Sequence, residues 1–184
     1  MPNPEFSNPA KADHIADPVV LKTDQPGLIL KQMTSLQDDL EYLQLQQRNA
    51  GHIAEFGNTV DSTVEEVTAR RTNKHMSRFG IRKDNRLYGA AEFVPSEDVK
   101  EAEVGVVLDK DATGQGMALS ALKAMTDYIA PSFKRVFAEI DPKHDRSIHM
   151  CEKAGYVRKG DIVEREWGQA VVMEYIGPEN SSAQ

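Results

Sequence analysis

One cysteine, Cys151, in 184 residues excludes an intrachain disulfide, and nothing argues for an oxidising compartment. There is no apolar run of about 18 residues, the length that a membrane-spanning helix needs. The opening MPNPEFSNPAKADH lacks the apolar core of a signal peptide. Basic side chains are the minority: 22 Lys and Arg against 29 Asp and Glu leave a net charge of −7. Nucleic-acid affinity rests mainly on cations neutralising phosphates, so an acidic chain is a poor candidate for it. An apolar share of 40% with 28% charged residues is that of an ordinary soluble globular protein. The expectation is one cytoplasmic domain, a monomer or homodimer, with neither nucleic acid nor membrane as partner.

The first 26 residues hold five of the nine prolines and no apolar periodicity, which predicts an extended or mobile arm over 1–26. The domain is expected over 27–177, with a tail at 178–184. Leu28 to Met33 reads as a first strand, and Ser35 with Asp38 as a capping box opening a helix from Leu36 to Arg48. Asn49 to Asp61 reads as a loop. Ser62 with Glu65 forms a second capping box, for a charged helix to about Arg78. Phe79–Lys83 and Leu87–Val94 read as a hairpin joined by Asp84-Asn85-Arg86, and the rest alternates. Strands are expected over 102–109, 134–140, 156–163 and 169–176, and helices over 114–130 and 145–154. Met117, Ala121, Met125 and Ile129 form one apolar helical stripe, read as core, and Pro131 stops that helix. The class is α/β, a mixed sheet with helices packed on it.

Chemistry concentrates in two blocks. In Ala102–Ala118, AEVGVVLDKDATGQGMA, an apolar run breaks into a loop with two glycines and then an apolar helix. A glycine-bearing loop at a helix start offers unpaired N–H groups and a positive dipole end, which suit a pyrophosphate. The loop is no P-loop, for no Lys-Ser or Lys-Thr follows, and no dinucleotide fingerprint, for the third glycine is missing. Taken alone, Gly114 and Gly116 equally suit a closely packed helix start. The second block is Asp141–Tyr156, DPKHDRSIHMCEKAGY.

Together the blocks resemble the GNAT superfamily of acetyl-CoA-dependent N-acetyltransferases. They carry Gly114-Gln-Gly116 after a strand, then Ser147 with Glu152-Lys-Ala-Gly155-Tyr156 after the next strand. The likeness spans about Leu28 to Ile176. Gln47-Arg48-Asn49-Ala-Gly-His52-Ile-Ala-Glu-Phe56 resembles, less specifically, the branch that acetylates ribosomal-protein N-termini. The resemblance implies a mixed, mostly antiparallel twisted sheet of about seven strands, splayed between strands four and five, with helices on both faces. It implies acetyl-CoA as cosubstrate, without a metal. Cosubstrate contacts are expected from Val106, Val107 and Leu108, with free N–H groups near Val106 and Val107. Further contacts are expected from Thr113, Gly114, Gln115, Gly116, Met117, Ala118 and His144. Gly105 suits either a bulge that frees backbone groups or a packing glycine.

Direct transfer needs a neutral amine, a polarised thioester and a proton for the leaving thiolate. Glu103 is the preferred base, with Glu101 and Glu92 as alternatives, and each is also an ordinary surface carboxylate. The resemblance places the acid on the second helix, where Cys151 stands at the family's usual Tyr and Ser147 matches the Ser of the ribosomal-protein branch. Two departures stand out: Asp111 replaces the usual Arg or Gln before the loop, and His144 replaces an Asn. His144 and His149, five apart, do not share a helical face, so no metal site is expected. Trp167, in the predicted final turn, is read as cover for a sheet edge. Seven acids between Glu92 and Asp111 face only Lys100 and Lys110, which suggests a cationic acceptor, unless they are solvated loop charge. The acceptor is a protein or peptide N-terminus or a small cationic amine. A non-catalytic acyl-CoA-binding or regulatory module of the same fold is the alternative.

Overall fold

The computed structural model describes residues 17–55, 60–73, 76–96 and 100–177. Along the chain run β1 (Val20–Lys22), β2 (Leu28–Gln32), α1 (Leu36–Arg48), α2 (Ala50–Glu55) and α3 (Val64–Asn73). Then come β3 (Ser77–Lys83), β4 (Arg86–Pro95), β5 (Glu101–Leu108), α4 (Met117–Ile129) and β6 (Arg135–Ile140). The last elements are α5 (Asp145–Lys153), β7 (Tyr156–Arg158), β8 (Val163–Arg165) and β9 (Gly168–Tyr175).

The sheet has nine strands where about seven were expected. One addition lies in the segment read as arm: β1 pairs antiparallel with β2, Leu21 opposite Leu30. Residues 1–16 and the tail lie outside the described residues. The other addition comes from the expected strand at 156–163, which breaks into β7 and β8, both paired to β9. Gly160, with a φ of +68°, lies between them. Ladder order is β1-β2-β3-β4-β5-β6-β9-β7, antiparallel except for β5 with β6.

Local chemistry explains most boundaries. Ser35 caps α1 through Asp38, whose side chain returns the bond. The second box is shifted one residue from expectation: Glu66 N donates to Thr63 Oγ1 at 3.3 Å, and Ser62 N to Glu66 Oε2 at 2.7 Å. Asp84 and Asn85 both take positive φ, 50° and 63°, the two-residue turn that suits a twisted hairpin. α2 occupies part of the segment expected as loop.

Helices cover both faces. On one, α4 presses Met117, Ala121, Leu122, Met125 and Ile129 against Leu30, Ile81, Val104 and Val136. Burying each larger side chain is worth about 1.5–3 kcal/mol. On the other, Tyr42 and Leu45 of α1 and Val67 of α3 cover Met33, Leu87 and Ala90. The α1–α3 contact also carries a buried ion pair. Asp39 is fully buried and accepts from Arg71 Nε at 2.9 Å, Arg71 Nη2 at 2.8 Å and Thr68 Oγ1 at 2.8 Å.

The end of α1 reaches the loop after β5. Arg48 Nε donates to Asp109 Oδ2 at 2.8 Å and Arg48 Nη2 to the Leu87 carbonyl at 3.3 Å. The next residue, Asn49, accepts from Lys110 N at 2.9 Å. Burial raises the Asp109 carboxyl, but the Arg48 bond and the Asp111 N–H outweigh it and hold it below its ordinary value. A carboxyl lowered by folding stabilises the fold above its ordinary titration range, and that contribution is lost as pH falls through the folded value. The Arg48→Met variant should therefore melt about 2–4 °C below the wild type at pH 7, with the gap narrowing at a pH well below the ordinary Asp range. Thermal melts at the two pH values check this, and an equal gap at both would show that the pair contributes nothing.

Candidate functional site

Where β5 leaves β6, the sheet opens. The parallel ladder joins Glu101–Glu103 to Arg135–Phe137 and stops, although β5 continues to Leu108 and β6 to Ile140. This is the expected splay; the extra β1 makes its strands the fifth and sixth. β5 stays paired to β4 without a register shift, so Gly105 makes no bulge there. A Cβ at Gly89 on β4 would lie 2.3 Å from the Val107 carbonyl oxygen, so these strands approach closely only because Gly89 has none.

Register decides which β5 groups face the gap. Ser96 N donates to Glu101 O at 2.9 Å and Asp109 N to Tyr88 O at 2.6 Å. In an antiparallel ladder hydrogen-bonded positions alternate. The odd-numbered residues of β5 therefore turn their backbone groups to β4, and the even-numbered ones turn theirs away. Val106 and Leu108 present N–H groups towards the gap, while Val107, expected to do so, spends its N–H on β4. The side chain of Val107 projects from the opposite face, against Ala90 and Tyr42.

Beyond β5, Asp109 caps one 3₁₀ turn, Lys110–Ala112, and Thr113 Oγ1 donates to Lys110 O at 2.8 Å. Gly114 and Gly116 have φ of +78° and +76°, and a Cβ on either would meet nothing within 4 Å. They are thus not packing glycines; the left-handed backbone requires them, and the space beside them is open. Gly116 is the N-cap of α4, with no side-chain cap and no acidic residue in the first turn. The first N–H groups of α4, from Met117 and Ala118 onward, are left to a ligand or solvent. Met117 itself is buried, so only its backbone faces the loop. Gln115 bonds within the protein: Nε2 donates to Asp111 O at 2.9 Å, and its carbonyl accepts from Gln25 Nε2 at 3.0 Å. The Asp111 side chain is exposed.

His144 is the N-cap of α5 and holds that turn through its carbonyl, which accepts from Ser147 N and Ile148 N. Ser147 is half-buried, whereas Cys151, one turn on, is 2% exposed within the main core. Burial, with the Glu152 charge second, pushes the Cys151 thiol up to about 12. Buried in that core, the thiol has almost no surface on which a ligand in the gap could meet it, whereas the Ser147 hydroxyl has.

Glu103 is the last residue of β5 paired with β6 and stands at the fork. Burial of its carboxyl, then the charge of Glu139, raises its pKa above the ordinary value, with Arg165 opposing. The residue is nonetheless exposed to solvent at the surface of the sheet. The other two candidate bases are tied down. Glu101 accepts from Arg135 Nη1 at 3.0 Å, and Glu92 from Arg78 Nε at 2.5 Å. Three of the seven acids are thus paired, since Asp109 has Arg48; Glu103 and Asp111 are exposed, and Glu97 and Asp98 lie outside the described residues. Trp167 is about half exposed, 51%, at the tip of the β8–β9 turn.

A cavity of about 100 Å³ opens on the α1 face beside β5, lined by Tyr42, Gln46, Asp61, Arg70, Arg78, Glu92 and Val107 among others. Only Glu92 and Val107 of these were foreseen in roles. Arg78 is 2% exposed, with its guanidinium 3.9 Å above the Tyr42 ring. Burial works against that charge, but Glu92, followed by Tyr42 and Asp39, holds its pKa above the ordinary value. Burial likewise raises the Tyr42 hydroxyl, with Glu92 adding and Arg78 opposing. The pairing was hidden because Arg78 was expected at the end of a helix; α3 stops at Asn73, and Arg78 lies on β3 directly opposite Glu92.

Known structures share this architecture. RimL, a ribosomal L7/L12 α-N-protein acetyltransferase in complex with coenzyme A, aligns at 15% identity and a TM-score of 0.71, covering 86% of this chain and 98% of its own. Mycobacterium smegmatis RimJ in complex with CoA-disulfide aligns at 16% and 0.72, over 90% and 92%. AAC(6')-Ib in complex with ribostamycin and coenzyme A aligns at 19% and 0.70, over 81% and 93%. At such identities the likeness is one of fold. Among curated proteins none matches this chain in sequence. The model of the acetyltransferase (GNAT) domain family matches residues 28–157, well over half of the chain, which therefore belongs to the GNAT acetyltransferases.

Proposed function

We propose that the protein transfers an acetyl group from acetyl-CoA directly to a primary amine, that of a peptide N-terminus or of a small molecule. The observation carrying this reading is the coincidence of three features around one gap: the unpaired end of β5, the open glycine loop at α4, and a carboxylate of raised pKa at the fork. The loop and the N-terminus of α4 suit the pyrophosphate, and the turned-out N–H groups of Val106 and Leu108 suit the pantetheine amides or thioester oxygen. Glu103 takes the ammonium proton, directly or through water. The amine nitrogen attacks the thioester carbon, the C–S bond breaks, and Ser147 gives its proton to the departing thiolate as it takes up the one that the acylated nitrogen sheds, so the hydroxyl is restored. The amine is itself the nucleophile, so no covalent enzyme intermediate is needed.

Release of CoA from acetyl-CoA in a panel of peptides and small amines, beside calorimetric CoA binding, tests the whole reading. CoA binding without turnover on any amine would make the domain a binding module. Gly116→Val should remain folded, since the site has room, yet bind CoA about tenfold or more weakly through a strained loop. Unchanged affinity would move the pyrophosphate elsewhere.

Ser147→Ala should lower kcat by about 10²-fold or more with CoA affinity retained, and Cys151→Ala should do much less. The reverse order would exchange the two assignments. Glu103→Gln should lower kcat/KM by a similar factor and remove the acidic limb of its pH profile, a limb lying above the ordinary glutamate value. An unaltered profile would assign the base to another group.

A further inference from the structure

The cavity on the α1 face holds two polar groups that the fold leaves unserved. Arg78 Nη1 is buried and makes no hydrogen bond; Nε goes to Glu92 and Nη2 to Met76 Sδ at 3.6 Å. Asp61 has a side chain 1% exposed, and neither of its oxygens receives an aligned hydrogen bond. Arg70 Nε stands 2.8 Å from Asp61 Oδ1, close enough for ion pairing, but its N–H is not directed at that oxygen. Buried polar groups are nearly always satisfied, so an orphan donor and an orphan acceptor lining one small cavity require an occupant. The backbone is not free to serve, because Asp61 N is already committed to Gln46 Oε1 at 3.0 Å.

The charges restrict what that occupant is. Arg70 and Arg78 balance Asp61 and Glu92, so a further ammonium or carboxylate entering here would be desolvated without a counter-charge. An apolar group would leave both orphans unmet. What fits is an uncharged group that both accepts and donates: water, or in its place a ligand hydroxyl or a carboxamide with its C=O on Arg78 and its N–H on Asp61. A cavity near 100 Å³ admits either. Its wall includes Val107, on the stretch of β5 beyond the β6 ladder, so the cavity borders the part of the strand assigned to the acyl group.

We infer that this cavity is a specificity subsite which selects amine acceptors bearing a neutral hydroxyl or carboxamide close to the amine. The inference rests on the amine-acetylation reading. It favours a neutral polar neighbour over a second cationic centre, and so departs from the cationic acceptor that the acidic run suggested.

Two measurements on the full-length protein separate this subsite from that reading. The first is kcat/KM for CoA release with five primary amines: aminopropanol, β-alaninamide, butylamine, β-alanine and diaminopropane. The hydroxyl and carboxamide amines are expected to exceed butylamine by about tenfold or more, and the two charged amines should not. In Asp61→Asn, with its fold checked by circular dichroism, that ratio should fall towards one. The second is the NMR resonance of the Arg78 Nε–H in the CoA-saturated protein, expected to shift with β-alaninamide and not with butylamine. Turnover with equal kcat/KM for all five, or a preference for diaminopropane, overturns the subsite and leaves acetylation standing. If neither these amines nor the wider panel release CoA while the Arg78 signal still responds, the acetylation reading falls and takes the specificity role with it, leaving a cavity that binds a neutral polar group. If neither responds, both fall.

Discussion

Everything proposed for this molecule depends on a ladder that stops. β5 and β6 are the one parallel pair among the described strands, and their pairing ends at Glu103. Backbone groups beyond that point have no partner strand, and within a folded interior such groups need another partner. The sheet tolerates the defect because both strands are well paired on their outer sides, β5 to β4 over seven positions and β6 to β9 over four. The gap is thus a stable vacancy in an otherwise continuous hydrogen-bond array, with Val106 and Leu108 on its wall.

Around it the two faces of the sheet divide the labour. The α4 face is a dry core whose helix begins at the open loop, so a phosphate held there lies against rigid structure. The α1 face is mixed: an apolar patch at Leu45, Val67 and Leu87, and next to it the polar cavity of Tyr42, Asp61, Arg78 and Glu92. Burying that much charge is tolerated because nearly every member is paired, with Arg78 held between Glu92 and the Tyr42 ring.

Much of the fold was legible in the sequence, for identifiable reasons. The α4 stripe, the Ser35–Asp38 box and the order of the last strands and helices are local patterns that packing reinforced. β1 was hidden because three residues between prolines carry too little periodicity to outweigh a loop composition. The second capping box was placed at Ser62 because Ser62 and Thr63 both offer a hydroxyl, and only tertiary contacts chose between them. At the site, the two glycines were readable because their reason is local, a left-handed backbone. Val107 was misread because orientation in a strand depends on register with β4, which sequence spacing leaves one residue uncertain. The Arg78 cavity stayed invisible for a related reason: its walls come from α1, α3, β3, β4 and β5, and no single segment announces it.

The end of α1 serves two places at once. Gln46 holds the backbone at Asp61, while Arg48 and Asn49 hold Asp109 and Lys110 at the start of the glycine loop. Gln46 and Arg48 leave the last turn of α1, where successive side chains are about 100° apart, and Asn49 is its C-cap. A residue inserted or deleted there would turn every following side chain by that angle and release both attachments together. The Asp84–Asn85 turn, exposed and free of such duties, can change length without consequence for either. In this family of sequences, length variation should therefore collect at that hairpin tip and be absent between Gln46 and Asn49.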